Sequence, residues 1–251
     1  MTAGCRFGLP GEFALVTGGR SGIGDATARL LAGGGLQVLA LDVAPVRSPM
    51  PDGVVDVVVD VTDEDSVRAA IESHVGEGAL GVLVNCAGIL RQSGLMTATP
   101  QEWRAVLEVN LLGAVATVRA ALPWLARTQG AAVVNVTSLE AGRVLALVNP
   151  DPVPHYAASK AALAMVTTSM ARDLARHSIR VNAVAPGFVR TPMTRSNHAA
   201  QELPEPARAR VPMGRPAEPE EIAGTIAFLA SAGASYVTGS SLLVDGGFST
   251  T

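Results

Sequence analysis

Three side chains in the second half of the sequence have the types and spacing needed to move a proton. Tyr156 and Lys160 are four residues apart, so a helix would place both on one face. A phenol with a pKa of about 10 is a poor acid or base at neutral pH, but a nearby ammonium group would lower that pKa. Ser138 supplies a hydroxyl upstream, directly after a predicted strand. Tyr-x-x-x-Lys pairs are also common on helix surfaces, so the spacing alone leaves a purely structural role open.

The rarity of both residue types strengthens the hypothesis that Tyr156 and Lys160 act together. Lys160 is the only lysine among the 19 basic residues, and Tyr156 is one of two tyrosines. Heavy arginine usage can reflect codon bias alone. However, a lysine retained in such a sequence indicates a position that arginine cannot fill, because only the amine can shift its pKa and shuttle a proton. We therefore treat Tyr156 and Lys160 as a candidate acid–base pair.

A glycine-rich turn near the start of the sequence has the composition of a phosphate-binding loop. It reads Thr17-Gly18-Gly19-Arg20-Ser21-Gly22-Ile23-Gly24 and joins a predicted strand to a predicted helix. Glycines let the backbone approach a ligand, and a helix N-terminus presents free N–H groups to a pyrophosphate. The strict G-x-G-x-x-G pattern is not met, because position 27 is threonine, so an ordinary strand-to-helix turn is the alternative. The candidate cofactor-binding residues of this loop are Gly18, Arg20, Ser21, Gly22, Ile23 and Gly24.

An acidic residue at the end of the second predicted strand indicates which dinucleotide would bind. Asp42 lies about twenty residues beyond the glycine loop, where a carboxylate can accept hydrogen bonds from a ribose hydroxyl and would repel a 2′-phosphate. Its neighbours Leu41 and Val43 bring no positive charge. The sequence therefore favours NAD over NADP, unless Arg20 or Arg47 folds over the ribose.

The elements that must position these residues alternate along the chain. Short β-branched runs alternate with amphipathic helical stretches, which is typical of βαβ units around a parallel sheet. Strands are predicted at 13–17, 37–41, 54–59, 80–84, 132–136, 180–184 and 242–244, and helices at 22–32, 63–75, 100–125, 156–175 and 219–229. The pattern predicts an α/β fold, a doubly wound seven-stranded parallel sheet with helices on both faces. We expect one domain over 1–251, with a proline-rich lid or substrate loop at about 186–218.

Composition excludes several classes of protein. Apolar residues make up 48% of the chain and the formal net charge is -3, which argues against disorder and against a nucleic-acid partner. Two cysteines and no apolar leader favour a reducing cytoplasm. Residues 222–244 carry no charge, but their serines, threonine and glycine indicate a buried helix and strand rather than a membrane span. The four histidines show no metal-ligand spacing, so no metal is expected.

Taken together, these motifs resemble the classical short-chain dehydrogenase/reductase family over residues 17–247. The glycine turn is similar to that family's TGxxxGxG motif, and Asp60-Val61-Thr62 is similar to its adenine-side acidic motif. Asn85-Cys86-Ala87-Gly88 resembles its NNAG segment with one cysteine replacement. Further matches are Asn110, the Ser138, Tyr156 and Lys160 set, and the segment from Pro186 and Gly187 to Thr191. The resemblance implies a Rossmann-type fold and a homotetramer.

The resemblance also implies roles for individual residues. Tyr156 would exchange a proton with the substrate oxygen, Ser138 would hydrogen-bond that oxygen, and Lys160 would depress the pKa of Tyr156 and hold the nicotinamide ribose. Asn110 would anchor a water that leads protons to Lys160, or would simply support a kink in its helix. Beyond the glycine loop, the implied cofactor-binding residues are Asp42, Asp60, Val61, Asn85, Ala87, Gly88, Tyr156, Lys160, Pro186, Gly187, Val189 and Thr191.

The substrate side departs from the family pattern. The interval from Ser138 to Tyr156 is longer than usual and rich in proline, and the interval after Asp42 is poor in helix. The helix-poor interval after Asp42 resembles a shortened form found in some family members, including the subgroup that oxidises a dihydroxycyclohexadiene carboxylate. The run Ala87-Gly88-Ile89-Leu90-Arg91 resembles that subgroup as well. Arg91 could then bind a carboxylate, although a solvated loop arginine is the alternative. The candidate substrate residues are Arg91, Ser138, Glu140, Leu145, His155, Phe188 and Met193.

The leading hypothesis is an NAD(H)-dependent oxidoreductase that interconverts a secondary alcohol and a ketone by hydride transfer at nicotinamide C4, with no nucleic-acid or membrane partner. Three alternatives stay open. These are an NADPH-dependent 3-oxoacyl-type ketoreductase, a dihydrodiol (cyclohexadiene carboxylate) dehydrogenase, and a catalytically silent dinucleotide-sensing protein.

Overall fold

Seven parallel strands form one twisted sheet with helices on both faces, as the sequence predicts. The computed structural model describes residues 8–44, 50–145, 153–194, 202–203 and 205–250. The strands are β1 (Phe13–Thr17), β2 (Gln37–Asp42), β3 (Val54–Val58), β4 (Leu80–Asn85), β5 (Ala132–Val136), β6 (Arg180–Pro186) and β7 (Ser241–Val244). They are ordered β3-β2-β1-β4-β5-β6-β7. The chain order reverses between β1 and β4, and this switch point is where open α/β sheets bind ligands.

The helices of the described residues cover both faces of this sheet. They are α1 (Gly22–Gly33), α2 (Glu64–Val75), α3 (Pro100–Leu107), α4 (Gly113–Leu125), α5 (Pro154–Leu174), α6 (Glu205–Arg208) and α7 (Pro219–Ala230). One core packs α2, α4 and α5 against the sheet around Leu83, Ile71 and Leu125. The other packs α1 and α7 around Val16, Leu31 and Ile226. Because parallel strands are covered on both faces, they are apolar throughout rather than alternating.

Two helix boundaries differ from the sequence expectation. The single helix predicted at 100–125 is interrupted by a π-helical turn, Glu108–Leu112, between α3 and α4. The helix predicted to begin at Tyr156 begins two residues earlier, because Pro154 occupies a first-turn position where its missing N–H costs nothing. Tyr156 therefore lies within the first turn of α5 rather than at its start.

The stretch Pro100–Leu125 is also long and apolar enough to cross a membrane by length and composition. This is weak evidence, because the core helix of a soluble protein meets the same criterion. The stretch begins with a capping box at Thr99 and Glu102, and it packs in the core through Val106, Val118 and Leu125. Residues 222–244, by contrast, contain most of α7 and all of β7, as the sequence predicts.

Two predicted loops lie partly or largely outside the described residues. The proline-rich interval after Asp42 includes Arg47, and the insertion before α5 includes residues 146–152. The predicted lid at 186–218 is described at both of its ends, where Val189 forms a bridge with Ala217. The lid role therefore stays a prediction.

Candidate active site

A cavity of about 470 Å³ opens at the carboxyl edge of the sheet, across the switch point between β1 and β4. The glycine loop and the start of α1 form one side of it. The ends of β2, β4, β5 and β6 form its floor, and the first turns of α5 close the other end. The predicted site residues that line it are Gly18, Ser21, Gly22, Ile23, Asp42, Asp60, Val61, Ala87, Gly88, Arg91, Ser138, Tyr156, Lys160, Pro186, Gly187, Val189, Thr191 and Met193.

The glycine loop has the geometry of an anion-binding turn. Gly18 has φ +64°, and a Cβ there would lie 2.9 Å from the Ala87 backbone nitrogen. A Cβ on Gly24 would lie 2.1 Å from the Gly18 carbonyl oxygen, so Gly24 permits close packing within the loop and does not line the cavity. Ser21, the N-cap of α1, makes no side-chain cap hydrogen bond. The first N–H groups of α1 are therefore open to a phosphate, and the loop fits a dinucleotide.

Arg20 spans two acidic residues beside the cavity. Its backbone N–H donates to Asp42 Oδ2 at 3.2 Å, while its side-chain Nε donates to Asp56 Oδ1 at 3.0 Å. The guanidinium is thus turned away from Asp42 and does not line the cavity, contrary to the cofactor-binding role expected of Arg20. The ion pair with Asp56 is the physical reason. Asp42 itself lines the cavity and receives a second backbone N–H, from Ala44, at 2.9 Å.

The proton-moving residues meet at the other end of the cavity. Lys160 Nζ donates to the Val136 carbonyl at 2.9 Å and lies 5.7 Å from the centroid of the Tyr156 ring. The Ser138 hydroxyl accepts the Glu140 backbone N–H at 3.1 Å, which leaves its own proton free to donate. A Cβ on Gly88 would lie 3.5 Å from Lys160 Nζ, so glycine at this position leaves room beside the amine.

Burial dominates the pKa values of this pair. It raises the pKa of Tyr156 above its usual range, an effect that the charge of Glu140 increases and a hydrogen bond with Ser138 opposes. Burial also lowers the pKa of Lys160 to about 8. The resemblance to the family implies that Lys160 depresses the pKa of Tyr156. In the structure the desolvation of the phenol outweighs any such effect, so the phenol is protonated at neutral pH.

Asn110 sits inside the π-helical turn and does not line the cavity. Its Oδ1 accepts the Ile89 N–H at 2.8 Å, and its Nδ2 donates to the Ile89 carbonyl and to Ser159 Oγ, both at 3.0 Å. These bonds join the end of the β4 loop to α5, one residue before Lys160. The widened turn lets this buried amide reach both partners. These contacts agree with the alternative in which Asn110 supports a kink in its helix.

Asn85 also lies outside the cavity lining. It is buried, and its Nδ2 donates to Asn135 Oδ1 at 2.8 Å, which ties β4 to β5. The amide is directed into the sheet, where it links two strands. The side chain of Asn85 therefore does not form part of the cofactor-binding surface, contrary to expectation.

The candidate substrate residues are divided among several places. Ser138, Arg91 and Met193 line the main cavity. Glu140 and Leu145 line a separate, mostly apolar cleft beside the first turn of α5, together with Leu95, Met96 and Val144. Phe188 packs edge-on against Phe248 in a small cluster under the predicted lid.

His155 is fully buried and does not line either cleft. Its Nε2 lies 3.4 Å from Ser93 Oγ, and its ring packs against Trp103 with centroids 5.7 Å apart. Burial lowers its pKa; the Glu102 charge opposes this effect, and the smaller contribution of Arg91 acts in the same direction as burial. The side chain points into the protein because it precedes Tyr156 on α5 and so faces a different direction around the helix.

Part of the cavity wall consists of residues that were not predicted from the sequence. The common signal of these residues is their position next to a strand end or a recognised motif. They are Leu41, Val43, Val59, Cys86, Ile89, Val109, Val136, Thr137 and Pro192. Cys86 packs against the α1 core, and burial raises its thiol pKa to about 12, which makes it a poor nucleophile. In the part of the chain that the structure describes, no cluster of three His, Cys, Asp or Glu side chains could hold a metal.

Comparisons with known proteins agree with this architecture. A family model described as enoyl-(acyl carrier protein) reductase matches residues 18–249. The chain is 39% identical over 252 residues to a 3-oxoacyl-(acyl-carrier-protein) reductase of Thermotoga maritima, covering 95% of this chain and 98% of that protein. It is 42% identical over 244 residues to cis-4-hydroxycyclohexanecarboxylate dehydrogenase of Sinomonas cyclohexanicum, covering 94% of this chain and 95% of that protein.

A solved structure shows the same fold. It is a 3-ketoacyl-(acyl-carrier-protein) reductase from Brucella melitensis complexed with NADH, with 31% identity, a TM-score of 0.84 and coverage of 95% of this chain and 98% of that one. The fold and these matches define a Rossmann-type oxidoreductase. Within that class the chain belongs to the short-chain dehydrogenase/reductase family, which binds a nicotinamide cofactor.

Proposed function

We propose that the protein is an NAD(H)-dependent oxidoreductase that interconverts a secondary alcohol and a ketone. The observation that carries this proposal is a single cavity with Asp42 near one end and Ser138, Tyr156 and Lys160 at the other. Such a cavity fits an extended dinucleotide whose adenosine ribose meets the carboxylate. Its nicotinamide then meets the hydroxyl groups and the amine.

The chain's own residues supply the proton transfer and the orientation. The cofactor supplies hydride exchange at the nicotinamide C4. Tyr156 is protonated at neutral pH, so in the reducing direction it donates its proton to the substrate oxygen. Ser138 donates a second hydrogen bond to that oxygen. The Lys160 ammonium then stabilises the phenolate, and its pKa of about 8 lets it pass on a proton near neutral pH. Oxidation runs through the same groups in reverse.

The preference for NAD rests on charge at the ribose end. Asp42 faces the cavity, where its carboxylate would accept the ribose hydroxyls and repel a 2′-phosphate. Arg20, the cation nearest to it in the glycine loop, is paired with Asp56. Both observations favour NAD.

A carboxylated secondary alcohol is the substrate class that the site favours. Arg91 lines the same cavity as Tyr156, and it has no hydrogen bond or ion pair within the described residues. A guanidinium left unpaired beside an active site suits a carboxylate. The Sinomonas relative is named for a cyclic hydroxycarboxylate, which agrees with this choice. The second candidate is the NADPH-dependent 3-oxoacyl-type ketoreductase left open by the sequence, and the name of the Thermotoga relative agrees with reduction of a 3-oxoacyl group.

A paired assay tests the proposal. Cyclic, aliphatic and carboxylated secondary alcohols are offered with NAD and with NADP, and NADH binding is titrated by fluorescence. We expect turnover with NAD, most efficient with a cyclic hydroxycarboxylate. A preference for NADP would contradict the interpretation of Asp42. NADH binding with no turnover on any alcohol or ketone would favour the dinucleotide-sensing alternative.

We also propose that the protein assembles into a homo-oligomer, with the tetramer implied by the family as the expected state. Strand β7 is one edge of the sheet, and Leu242 and Leu243 on it are exposed, with Leu243 47% accessible. Met165 on α5 and Leu112 before α4 are exposed as well. Exposed apolar side chains on an edge strand and on helices are typical of surfaces that another subunit covers.

A further inference from the structure

We propose that Asp56 determines cofactor choice by holding the Arg20 guanidinium outside the cavity. In this role Asp56 is a positioning residue that would touch no part of the cofactor. It keeps the one cation of the glycine loop away from the place where a 2′-phosphate would bind. The inference rests on the proposed NAD(H)-dependent function and adds a second determinant to Asp42.

The sheet register explains why Asp56 can reach Arg20. Ala40 on β2 is paired with Asp56 on β3, so the two side chains lie side by side on one face. The glycine loop passes over the same place, because a Cβ on Gly19 would lie 2.7 Å from the Ala40 Cβ. An arginine that follows Gly19 and extends sideways across β2 therefore meets Asp56.

The ion pair is buried and incompletely satisfied. The Arg20 side chain is 7% exposed and the Asp56 side chain 11%. Their contact is a single bond, from Nε to Oδ1, at 3.0 Å. Arg20 Nη1 is buried and has no hydrogen-bond partner among the residues that the structure describes. One carboxylate therefore compensates the buried positive charge of the guanidinium, and part of the hydrogen-bonding capacity of the guanidinium is unused.

The position of the Arg20 backbone makes a second conformation available to the side chain. Its N–H is bonded to Asp42 Oδ2 at 3.2 Å, so the side chain starts beside the carboxylate that faces the cavity. Without the Asp56 charge, a buried guanidinium would be left unpaired, which is strongly unfavourable. The side chain would then turn to the cavity, where water or an anion can solvate it.

A 2′-phosphate is the anion best suited to the released side chain. A guanidinium binds phosphate through two parallel hydrogen bonds, which a ribose hydroxyl cannot accept. Among the described residues, the other cation near this place is Arg29 on α1, which is held by Asp25, since its Nε lies 2.9 Å from both carboxylate oxygens. Within the described part of the chain, Arg20 is thus the cation whose position decides whether a phosphate is neutralised.

The experiment compares dissociation constants for NADH and NADPH, measured by cofactor fluorescence, in the wild type and in three variants. In Asp56→Asn we expect NADPH to bind about tenfold more tightly, the effect of one added charge-assisted hydrogen bond, while NADH changes by less than about twofold. Asp56→Glu keeps the ion pair and should keep the wild-type ratio. The double variant Asp56→Asn with Arg20→Gln should lose the gain.

An unchanged NADPH-to-NADH ratio in Asp56→Asn would overturn the inference. So would a gain that persists without Arg20. A wild type that already prefers NADPH would contradict the proposed function instead, so the two failures are distinguishable.

A second measurement covers the case in which Asp56→Asn does not fold. Crystals of the wild type soaked with NADPH should show the Arg20 guanidinium still on Asp56. A guanidinium found on the 2′-phosphate with Asp56 unchanged would overturn the inference.

Discussion

The carboxyl group of Glu140 offers a sharp test of the electrostatics around the active site. It lines the apolar cleft beside α5, two residues after Ser138, and no hydrogen bond or ion pair to it is present in the described residues. Burial raises its pKa from 4.5 to about 7. A charge placed in such a cleft without a partner must weaken the fold whenever it is ionised.

The sign and size of the effect follow from linkage. The pKa in the folded state is raised, so between pH 4.5 and about 7 the native protein binds more protons than the unfolded chain, and the free energy of unfolding falls as the pH rises. The difference between a carboxyl pKa of 4.5 and one of about 7 corresponds to roughly 3 kcal/mol, and solvent at the open side of the cleft reduces it to about 2 kcal/mol.

The substitution Glu140→Gln removes this cost. At about pH 8 we expect the variant to be more stable than the wild type by about 2 kcal/mol, and at about pH 4.5 the difference should fall below roughly 0.5 kcal/mol. Urea unfolding at each pH measures both values. Glu72→Gln, at an exposed position of α2, is the matched control for removing a carboxylate from the surface. Equal stability of Glu140→Gln and wild type at the higher pH would refute the claim that this carboxylate is desolvated.

Three further predictions address other parts of the account. Arg91→Gln should raise KM for a carboxylated alcohol about tenfold, with kcat and the KM of an uncharged alcohol little changed; equal losses for both alcohols would contradict a carboxylate contact. Asn110→Ala should lower the free energy of unfolding by about 2–4 kcal/mol in urea, because it leaves Ile89 and Ser159 with unpaired groups; a change under about 1 kcal/mol would contradict this. Leu243→Arg should reduce the assembly to smaller species in sedimentation velocity; an unchanged distribution would exclude the β7 edge as an interface.

Local patterns were sufficient to predict the strands and the order of the helices. The central strands are apolar runs that are buried on both faces. The four-residue spacing of Tyr156 and Lys160 places both on the cavity because they share a helix face. The glycine loop was recognisable for the same reason, since its geometry depends on consecutive residues.

Features that depend on distant contacts could not be predicted. The π-helical turn exists because Asn110 reaches Ile89 and Ser159, which are 21 and 49 positions away in the sequence. The orientation of Arg20 depends on Asp56, 36 positions away and two strands along the sheet. No local pattern encodes these pairings.

The direction of the Tyr156 pKa was also beyond local reasoning. The spacing from Lys160 suggested a lowered pKa. However, the phenol lies in the cavity between α5 and the end of β5, and desolvation there raises its pKa. The amount of burial is a property of the assembled site, so it becomes visible only in the structure.

The central claim is that the Tyr156 phenol transfers the proton while the rest of the cavity binds the dinucleotide. The most direct measurement compares single-turnover oxidation of NADH by the best ketone with NADH binding, in the wild type and in Tyr156→Phe. We expect the rate constant to fall by at least about a thousandfold in the variant, while the NADH dissociation constant changes by less than about threefold. A Tyr156→Phe protein that oxidises NADH at a rate within about tenfold of the wild type would contradict the claim.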